Sequence, residues 1–277
     1  MQKRKLLRIR IVLFCIVLGI LCVPFMIPEG GSDWFKSRKY DYQVRIGIID
    51  TGIASSAIDE QYIENGYNYV LRNENTEDKK GHGTQIASIL AGSIQHEIKG
   101  ICENAVLIPL VYTGRNEYNK EVPHTPELAA KAIYDAIDIY HCDIINISAG
   151  MHTEHEELRK AVAYAVEQDV LIVASAGNDG TDALFYPGAY EGVLCVGALD
   201  ENGKIAEFSQ QNASIDLYAI GEGIPVVGAD GNMSMAKGTS YSAAFVTGLA
   251  ANLLSENPEL TNEELTEKLC DLEEVKR

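Results

Sequence analysis

Four short segments of this chain contain the chemical groups that a serine nucleophile needs for acyl transfer. They supply a carboxylate, an imidazole, a side-chain amide and a hydroxyl, at Asp50, His82, Asn178 and Ser240. An imidazole can remove the hydroxyl proton, a carboxylate can orient the imidazole, and an amide N–H can stabilise the oxyanion that forms. Glycines beside these residues permit sharp turns that expose the side chains. The pattern predicts a serine peptidase, from Asp50-Thr51-Gly52, Gly81-His82-Gly83-Thr84, Ala176-Gly177-Asn178 and Gly238-Thr239-Ser240.

Taken singly, these segments permit other interpretations. Asp-Thr-Gly also occurs in aspartic peptidases, where two such turns pair their carboxylates. This sequence has no second Asp-Thr-Gly or Asp-Ser-Gly, so such a site would need a partner subunit. Asp50 alone could equally cap a turn.

His82 is more informative, because its flanking glycines leave it open ahead of an apolar helical pattern. His152 and His155 form a His-x-x-His pair, but no further ligand pattern supports a zinc site, and we expect no metal.

The elements that must position these groups follow from the apolar pattern. Continuous apolar runs predict strands at 44–50, 105–111, 143–148, 170–175 and 192–199. Apolar residues at three- and four-residue spacing predict helices at 82–92, 126–141 and 154–168. This alternation is typical of an α/β fold with a parallel sheet covered on both faces. Asp50 then ends a strand, while His82 and Ser240 each begin a helix, so all three can meet at one edge of the sheet.

The order of the catalytic groups narrows the family. Asp, His and Ser follow one another along the chain, and Ser240 begins a buried helix, unlike the Ser, Asp, His order of α/β-hydrolases. The chain resembles the subtilase (S8) family of serine peptidases over residues 44–269. The spacing agrees, with 32 residues from Asp50 to His82 and 158 from His82 to Ser240. The resemblance implies a subtilisin-like three-layer fold, with a mostly parallel central sheet and helices on both faces.

The resemblance also implies a role for each group. Asp50 would orient His82, and His82 would act as general base for Ser240. The Asn178 side chain and the Ser240 backbone N–H would form the oxyanion hole.

Substrate-binding residues are implied in the same way. Ser148-Ala149-Gly150 resembles the segment that pairs with the substrate backbone, and Ala176 and Gly177 would line the site beside it. Phe185 precedes a loop, Tyr186-Pro187-Gly188, that resembles the family's loop near the specificity pocket. We expect Phe185 to fill the floor of that pocket, which would favour small or medium side chains. Alternatively, Asp179 and Asp182 would attract a basic one.

The chain departs from the family pattern at several places. Ala244 and Phe245 stand where proline and histidine are usual after the nucleophile, and Ile220 replaces the proline of Ala-Pro-Gly. Segment 28–43 is too short for the long inhibitory pro-segment of many relatives. Residues 92–99 lack the asparagine-rich loop that holds calcium, so we expect no high-affinity calcium site there. The usual final strand and helix are also expected to be missing.

The N-terminus predicts a membrane-associated segment. Five basic residues and no acid occur in 1–10, and residues 11–27 are an uncharged apolar run. Seventeen residues lie at the lower limit for a membrane-spanning helix, and the preceding basic residues place the N-terminus inside. We therefore divide the chain into a basic cytoplasmic tail (1–10), an anchor or signal segment (11–27), a linker (28–43) and a catalytic domain (44–277). A cleaved signal peptide remains the alternative to an N-terminal hydrophobic anchor helix, although no small-x-small cleavage site is evident. A buried core helix is a third option.

Charge and cysteines limit the partners further. The formal charge is −17, from 23 basic and 40 acidic residues. So acidic a chain would repel a phosphate backbone, which argues against a nucleic-acid partner. An oxidising compartment would permit disulfides among the four cysteines beyond residue 27, but their spacing assigns no pairs. Within a strand-like apolar run, Cys195 is expected to be a buried thiol. The four cysteines beyond residue 27 are Cys102, Cys142, Cys195 and Cys270.

These observations predict a membrane-tethered serine endopeptidase that acts outside the cytoplasm. We expect a monomer that cleaves peptides or proteins through an acyl-enzyme and needs no cofactor. A catalytically idle protein with the same fold, which binds peptides without cleaving them, is the alternative. An aspartic-type site shared between two subunits is a third hypothesis.

Overall fold

The computed structural model describes residues 42–102, 104–272 and 275–276. In chain order the strands are β1 (Val44–Asp50), β2 (Tyr67–Asn68), β3 (Gly92–Ser93), β4 (Ile98–Lys99), β5 (Ala105–Val111), β6 (Gly114–Arg115), β7 (Glu121–Val122), β8 (Ile144–Ile147), β9 (Leu171–Ser175), β10 (Val193–Leu199), β11 (Leu217–Ile220), β12 (Glu222–Val227), β13 (Met233–Lys237) and β14 (Val275–Lys276). The α-helices are α1 (His82–Ala91), α2 (Pro126–Asp138), α3 (Glu156–Glu167), α4 (Thr239–Glu256) and α5 (Asn262–Cys270).

Eight strands form the central sheet, in the order β14-β11-β10-β9-β8-β1-β5-β2. Every neighbouring pair is parallel except β11 and β14, which are antiparallel. Helices α1 and α4 pack against each other and against one part of the sheet, while α2 and α3 form a second packed pair. The predicted α/β fold with a mostly parallel sheet between helices is confirmed.

The alternation of side-chain direction along each strand shows which face of the central sheet a side chain lies on. Ile49, Ile145 and Ile147 belong to the buried cluster that α2 and α3 cover. Successive side chains of a strand point to opposite faces. The side chains of Asp50 and Asn146 therefore lie on the other face, toward α1 and α4. Asn146 donates a hydrogen bond from Nδ2 to Thr247 of α4 at 3.0 Å, as this alternation requires.

Element boundaries differ from the predicted ones mainly at helix ends. Strands β1 and β5 have the predicted limits: β5 is apolar throughout, and β1 is mostly apolar apart from Arg45 and its last residue, Asp50. Helix α2 ends at Asp138 and not at residue 141, since His141 has a φ of 49° that ends the helical conformation. Helix α3 begins at Glu156, because His155 is its extended N-cap. The usual final strand and helix of the family were expected to be missing, and the described residues include one short strand after α5, β14, which pairs with β11.

Three small antiparallel sheets, which the apolar pattern did not predict, lie outside the central one. They are the hairpins β3–β4, β6–β7 and β12–β13. The hairpin β12–β13 ends one residue before the helix that carries Ser240. Backbone pairing therefore continues almost to Ser240, which restrains the position of the helix start.

All four cysteines beyond residue 27 are free thiols. Cys102, Cys142 and Cys195 are buried, whereas Cys270 is half-buried. Burial raises the pKa of Cys195 to about 12, with a further contribution from the charge of Asp216. The predicted buried thiol at Cys195 is thus present, and it is protonated at neutral pH.

The predicted N-terminal segments cannot be compared with the fold. The tail at 1–10, the apolar segment at 11–27 and all of the linker except residues 42–43 lie outside the described residues. Within the part of the chain that the structure does describe, no helix is both long and apolar enough to cross a membrane.

Candidate active site

Asp50 and His82 form the most closely coupled pair of the candidate site. Asp50 is the last residue of β1 and is 2% exposed. Both of its carboxylate oxygens lie 2.9 Å from Nδ1 of His82, the first residue of α1. The backbone N–H of Thr51 donates to the same carboxylate at 2.7 Å. A buried carboxylate in this position holds Nδ1 protonated and leaves Nε2 as the basic nitrogen.

The surroundings of His82 make its imidazolium form easier to reach. Burial by itself lowers the pKa of His82. The charge of Asp50, its hydrogen bond to the ring and the charge of Asp78 outweigh that effect, so the pKa is raised above its ordinary value. Lys80 acts in the opposite direction. A base whose cation is stabilised in this way can accept and hold a proton during a reaction.

The start of α1 is held close to the turn after β1. A Cβ on Gly83 would lie 2.3 Å from the carbonyl oxygen of Gly52, so only glycine permits this approach. The buried carboxylate of Asp78 accepts hydrogen bonds from the backbone of Gly81 at 2.8 Å and Thr84 at 3.0 Å. These bonds satisfy N–H groups that the first turn of a helix leaves unpaired. His82 therefore sits on a helix start that is anchored on both sides.

Ser240 is the second residue of α4 and is 7% exposed. Its hydroxyl donates to the carbonyl oxygen of Ser148, just past β8, at 2.8 Å. Within the described residues no hydrogen bond joins Ser240 to His82. Catalytic hydrogen bonds are often long or misaligned before substrate binds. The hydroxyl of Ser240 must therefore leave the Ser148 carbonyl before it can donate to His82.

Asn178 lies over the start of α4 with its amide orientation determined. Its Oδ1 accepts hydrogen bonds from the backbone N–H of Thr239 at 2.8 Å and from the Thr239 hydroxyl at 3.0 Å. The same hydroxyl accepts a bond from the Gly177 N–H at 3.2 Å. With Oδ1 engaged, the Nδ2 group is left to donate to a ligand. Asn178 is exposed, so Nδ2 is accessible.

The predicted substrate segments follow neighbouring strands and have a phenyl ring between them. Ser148-Ala149-Gly150 follows β8, and Ala176-Gly177 follows β9. A Cβ on Gly150 would lie 2.8 Å from Cε1 of Phe185, and one on Gly177 would lie 3.0 Å from its Cγ. The ring of Phe185 therefore contacts the backbone of both segments and occupies the space between them.

A contact between a histidine and a carboxylate lies beside this ring. His152 Nε2 is 2.9 Å from an oxygen of Asp179, and the His152 ring meets Phe185 edge-on with centroids 5.3 Å apart. His155 instead lies 3.3 Å from Glu127. The two histidines thus turn to different carboxylates and do not share a ligand. Among the described residues no group of three or more His, Cys, Asp or Glu side chains could hold a metal ion.

Residues 92–99 also do not fit calcium. They form the β3–β4 hairpin around a short 3-10 turn, Ile94–His96. Gln95 and His96 bond to backbone carbonyls, of Ser56 at 2.9 Å and Gly231 at 2.6 Å. Calcium requires six to eight oxygen ligands, and the side chains of this hairpin include one carboxylate, that of Glu97.

The residues that hold Asp50, His82 and Asn178 in place were not predicted from the sequence. Asp78 was not identified, nor were Thr51 and Thr239, although both threonines lie within the quoted segments. The Thr51 hydroxyl accepts a bond from the Gly83 N–H at 2.9 Å, so it ties β1 to α1. The sequence did indicate such residues, because Asp50, His82 and Ser240 each have a threonine one or two positions away.

Comparison with known proteins agrees with this geometry. A family model described as the subtilase family, Peptidase_S8, matches residues 41–272. Subtilisin DY from Bacillus licheniformis is 29% identical over 89% of this chain and 90% of its own length. The cell wall-associated protease of Bacillus subtilis (strain 168) is 32% identical over 87% of this chain, but the match spans 27% of that longer protein. A solved structure titled S41 Psychrophilic Protease has a TM-score of 0.73 and 26% identity, over 82% of this chain and 81% of that one.

Proposed function

Because this chain belongs to the subtilase family and is a subtilisin-like serine endopeptidase, we propose that Asp50, His82 and Ser240 are its catalytic triad. The observation that carries the proposal is the contact of both Asp50 oxygens with Nδ1 of His82, at the edge of the sheet where Ser240 begins α4. All three residues belong to one chain, so the site needs no second copy, and we propose that the enzyme acts as a monomer.

The reaction begins when Ser240 turns from the Ser148 carbonyl toward Nε2 of His82. The hydroxyl proton passes to Nε2 as Oγ forms a bond to the carbonyl carbon of the substrate. The C–N bond of the peptide then breaks, and Nε2 returns its proton to the departing amine. A water molecule next loses a proton to Nε2 and attacks the acyl group. The acid product leaves, and Ser240 regains its hydroxyl proton.

Asn178 stabilises the oxyanion of this reaction together with the backbone N–H of Ser240. The amide presents Nδ2 because Thr239 engages Oδ1. The N–H groups of a first helical turn have no intrahelical partners, and the helix dipole adds positive potential at the same point. A donor set of this kind stabilises charge that develops only in the transition state.

The proposed substrate preference is a small residue before the cleaved bond. Ser148-Ala149-Gly150, Ala176 and Gly177 bind the substrate backbone and line the pocket, and the ring of Phe185 takes the space that a large side chain would need. The alternative is attraction of a basic residue by Asp179 and Asp182. Of these two carboxylates, Asp179 already contacts His152 at 2.9 Å.

This preference can be tested with a peptide library in which the residue before the cleaved bond is varied over all twenty amino acids. We expect the wild type to prefer glycine, alanine and serine, and Phe185→Ala to accept leucine and phenylalanine as well. Leu184→Ala, a truncation at the exposed neighbouring position, is the control and should keep the wild-type profile. A strong wild-type preference for large aromatic or for basic residues would contradict the proposal.

We further propose that the catalytic domain lies outside the cytoplasm, tethered to the membrane by residues 11–27. Support comes from the basic residues that precede this apolar run and from the similarity to a cell wall-associated protease. Cell fractionation with mass analysis of the N-terminus tests this part. Intact residues 1–27 in the membrane fraction are expected. A shortened chain in the medium would indicate a cleaved signal peptide.

A serine-directed fluorophosphonate probe tests the triad itself. We expect the wild-type protein to be labelled and Ser240→Ala to fold without being labelled or turning over peptides. Ser242 lies on the same helix and bonds to the Ala219 carbonyl at 3.1 Å, so Ser242→Ala is the matched control and should still be labelled. Unlabelled, folded wild type would favour a peptide-binding protein without activity. Pepstatin-sensitive activity would favour the aspartic hypothesis.

A further inference from the structure

Tyr241 follows the nucleophile directly and contacts the helix of His82 at two points. Its ring lies against the imidazole, with centroids 5.9 Å apart and planes inclined by 52°. Its hydroxyl donates to Oε1 of Gln85 at 2.8 Å. Gln85 comes three residues after His82 on α1, and residues at that spacing share one face of a helix. Tyr241 therefore bridges the helix of the base and the helix of the nucleophile.

The hydroxyl of Tyr241 is a dependable donor. The residue is 9% exposed. Burial and the nearby charge of Asp50 both raise the pKa of Tyr241 above its ordinary value. The hydroxyl thus stays protonated across the pH range in which a serine peptidase needs a neutral imidazole, and its bond to Gln85 persists there.

The contact with Asp50 alone does not determine where the imidazole points. It holds Nδ1, but the ring can still pivot about that contact, and the direction of Nε2 changes as it does. Ser240 adds no restraint of its own, because its hydroxyl is bonded to Ser148. A second contact on the ring is needed, and Tyr241 is placed to make it from the helix that carries the nucleophile.

We propose that Tyr241, held by Gln85, is a positioning residue for His82. Its ring limits the pivot of the imidazole, and its hydrogen bond keeps the start of α4 at a constant distance from α1. Both contacts keep the imidazole aligned with the start of α4, where Ser240 lies. The inference rests on the triad proposed above and adds the residues that align it.

Two variants and their combination test this role. Tyr241→Phe keeps the ring and removes the donor, whereas Gln85→Leu keeps the volume and removes the acceptor. We expect each to lower kcat per titrated active site by about three- to tenfold with KM unchanged, because small misplacements of reacting groups slow the chemical step. The double variant should lose no more than either single variant. Tyr164→Phe, which removes a hydroxyl bonded to Asp138 at 2.7 Å, is the matched control and should keep the wild-type kcat.

The outcomes separate this inference from the function on which it rests. If the wild type neither reacts with the fluorophosphonate nor cleaves peptides, the proposed triad fails. If the wild type is active and Tyr241→Phe has the same kcat per titrated site, the positioning role alone is wrong. Losses that multiply in the double variant would also overturn it. If the Tyr241–Gln85 bond had only a structural role, its removal would reduce Tm and the fraction of titratable sites and would leave kcat per site unchanged.

Discussion

Thr239→Val tests how Asn178, the proposed oxyanion donor, is held in place. The Thr239 hydroxyl donates to Oδ1 of Asn178 at 3.0 Å and accepts from the Gly177 N–H at 3.2 Å. Valine keeps the shape of the side chain and removes both bonds. The backbone N–H of Thr239 still reaches Oδ1 at 2.8 Å. The amide should therefore keep its general position and lose part of its alignment.

The expected magnitudes follow from these bonds. One neutral hydrogen bond contributes about 1 kcal/mol, so Thr239→Val should lower kcat by about three- to tenfold. The variant also leaves the buried Gly177 N–H unpaired, which should cost about 1–3 kcal/mol of the free energy of unfolding. Asn178→Ala removes the donor itself and should lower kcat by about 100- to 1000-fold, the usual effect of losing an oxyanion-hole donor. Neither variant should change KM appreciably, because the contact is made in the transition state.

The assay is steady-state hydrolysis of a chromogenic peptide, with active sites titrated and stability measured by urea unfolding. Thr261→Val is the matched control. It removes the N-cap of α5, where Thr261 accepts from Glu264 at 3.3 Å, and should lower stability by about 1 kcal/mol with kcat per site unchanged. In the double variant Asn178→Ala/Thr239→Val, kcat should equal that of Asn178→Ala. A full multiplication of the two losses, or losses confined to KM, would refute this account of Asn178.

Three further predictions concern residues around the site. Lys80 lowers the pKa of His82, so Lys80→Met should raise it and move the acid limb of the kcat/KM profile to higher pH. Lys79→Met is the control and should leave the acid limb in place. A shift of the acid limb to lower pH in Lys80→Met would contradict the predicted direction. The buried hydroxyl of Tyr112 has no hydrogen-bond partner among the described residues, so Tyr112→Phe should stabilise the protein by about 1 kcal/mol in urea unfolding; a loss of stability would show that the hydroxyl is satisfied. Gly83→Ala should lower stability by about 1–3 kcal/mol through steric overlap and reduce kcat, and wild-type values would disprove the close contact.

Much of the fold follows from short stretches of sequence. Mostly apolar runs predicted the limits of β1 and β5, because strands covered on both faces are rich in apolar side chains. Helix ends were less accurate, since they depend on single residues such as His141 and His155 whose backbone conformation is set by local contacts. The hairpins outside the central sheet were missed because their strands are short and partly exposed.

The sequence by itself determined which chemical groups are present, their order and their places at strand ends and helix starts. It could not determine which side chains meet. Thr239 bonds to Asn178 across 61 positions, Ser240 to Ser148 across 92, and Tyr241 to Gln85 across 156. Such partners are set by the order of strands in the sheet and by the packing of α4 against α1. Those depend on the burial of apolar surface over the whole domain, and no local pattern encodes it.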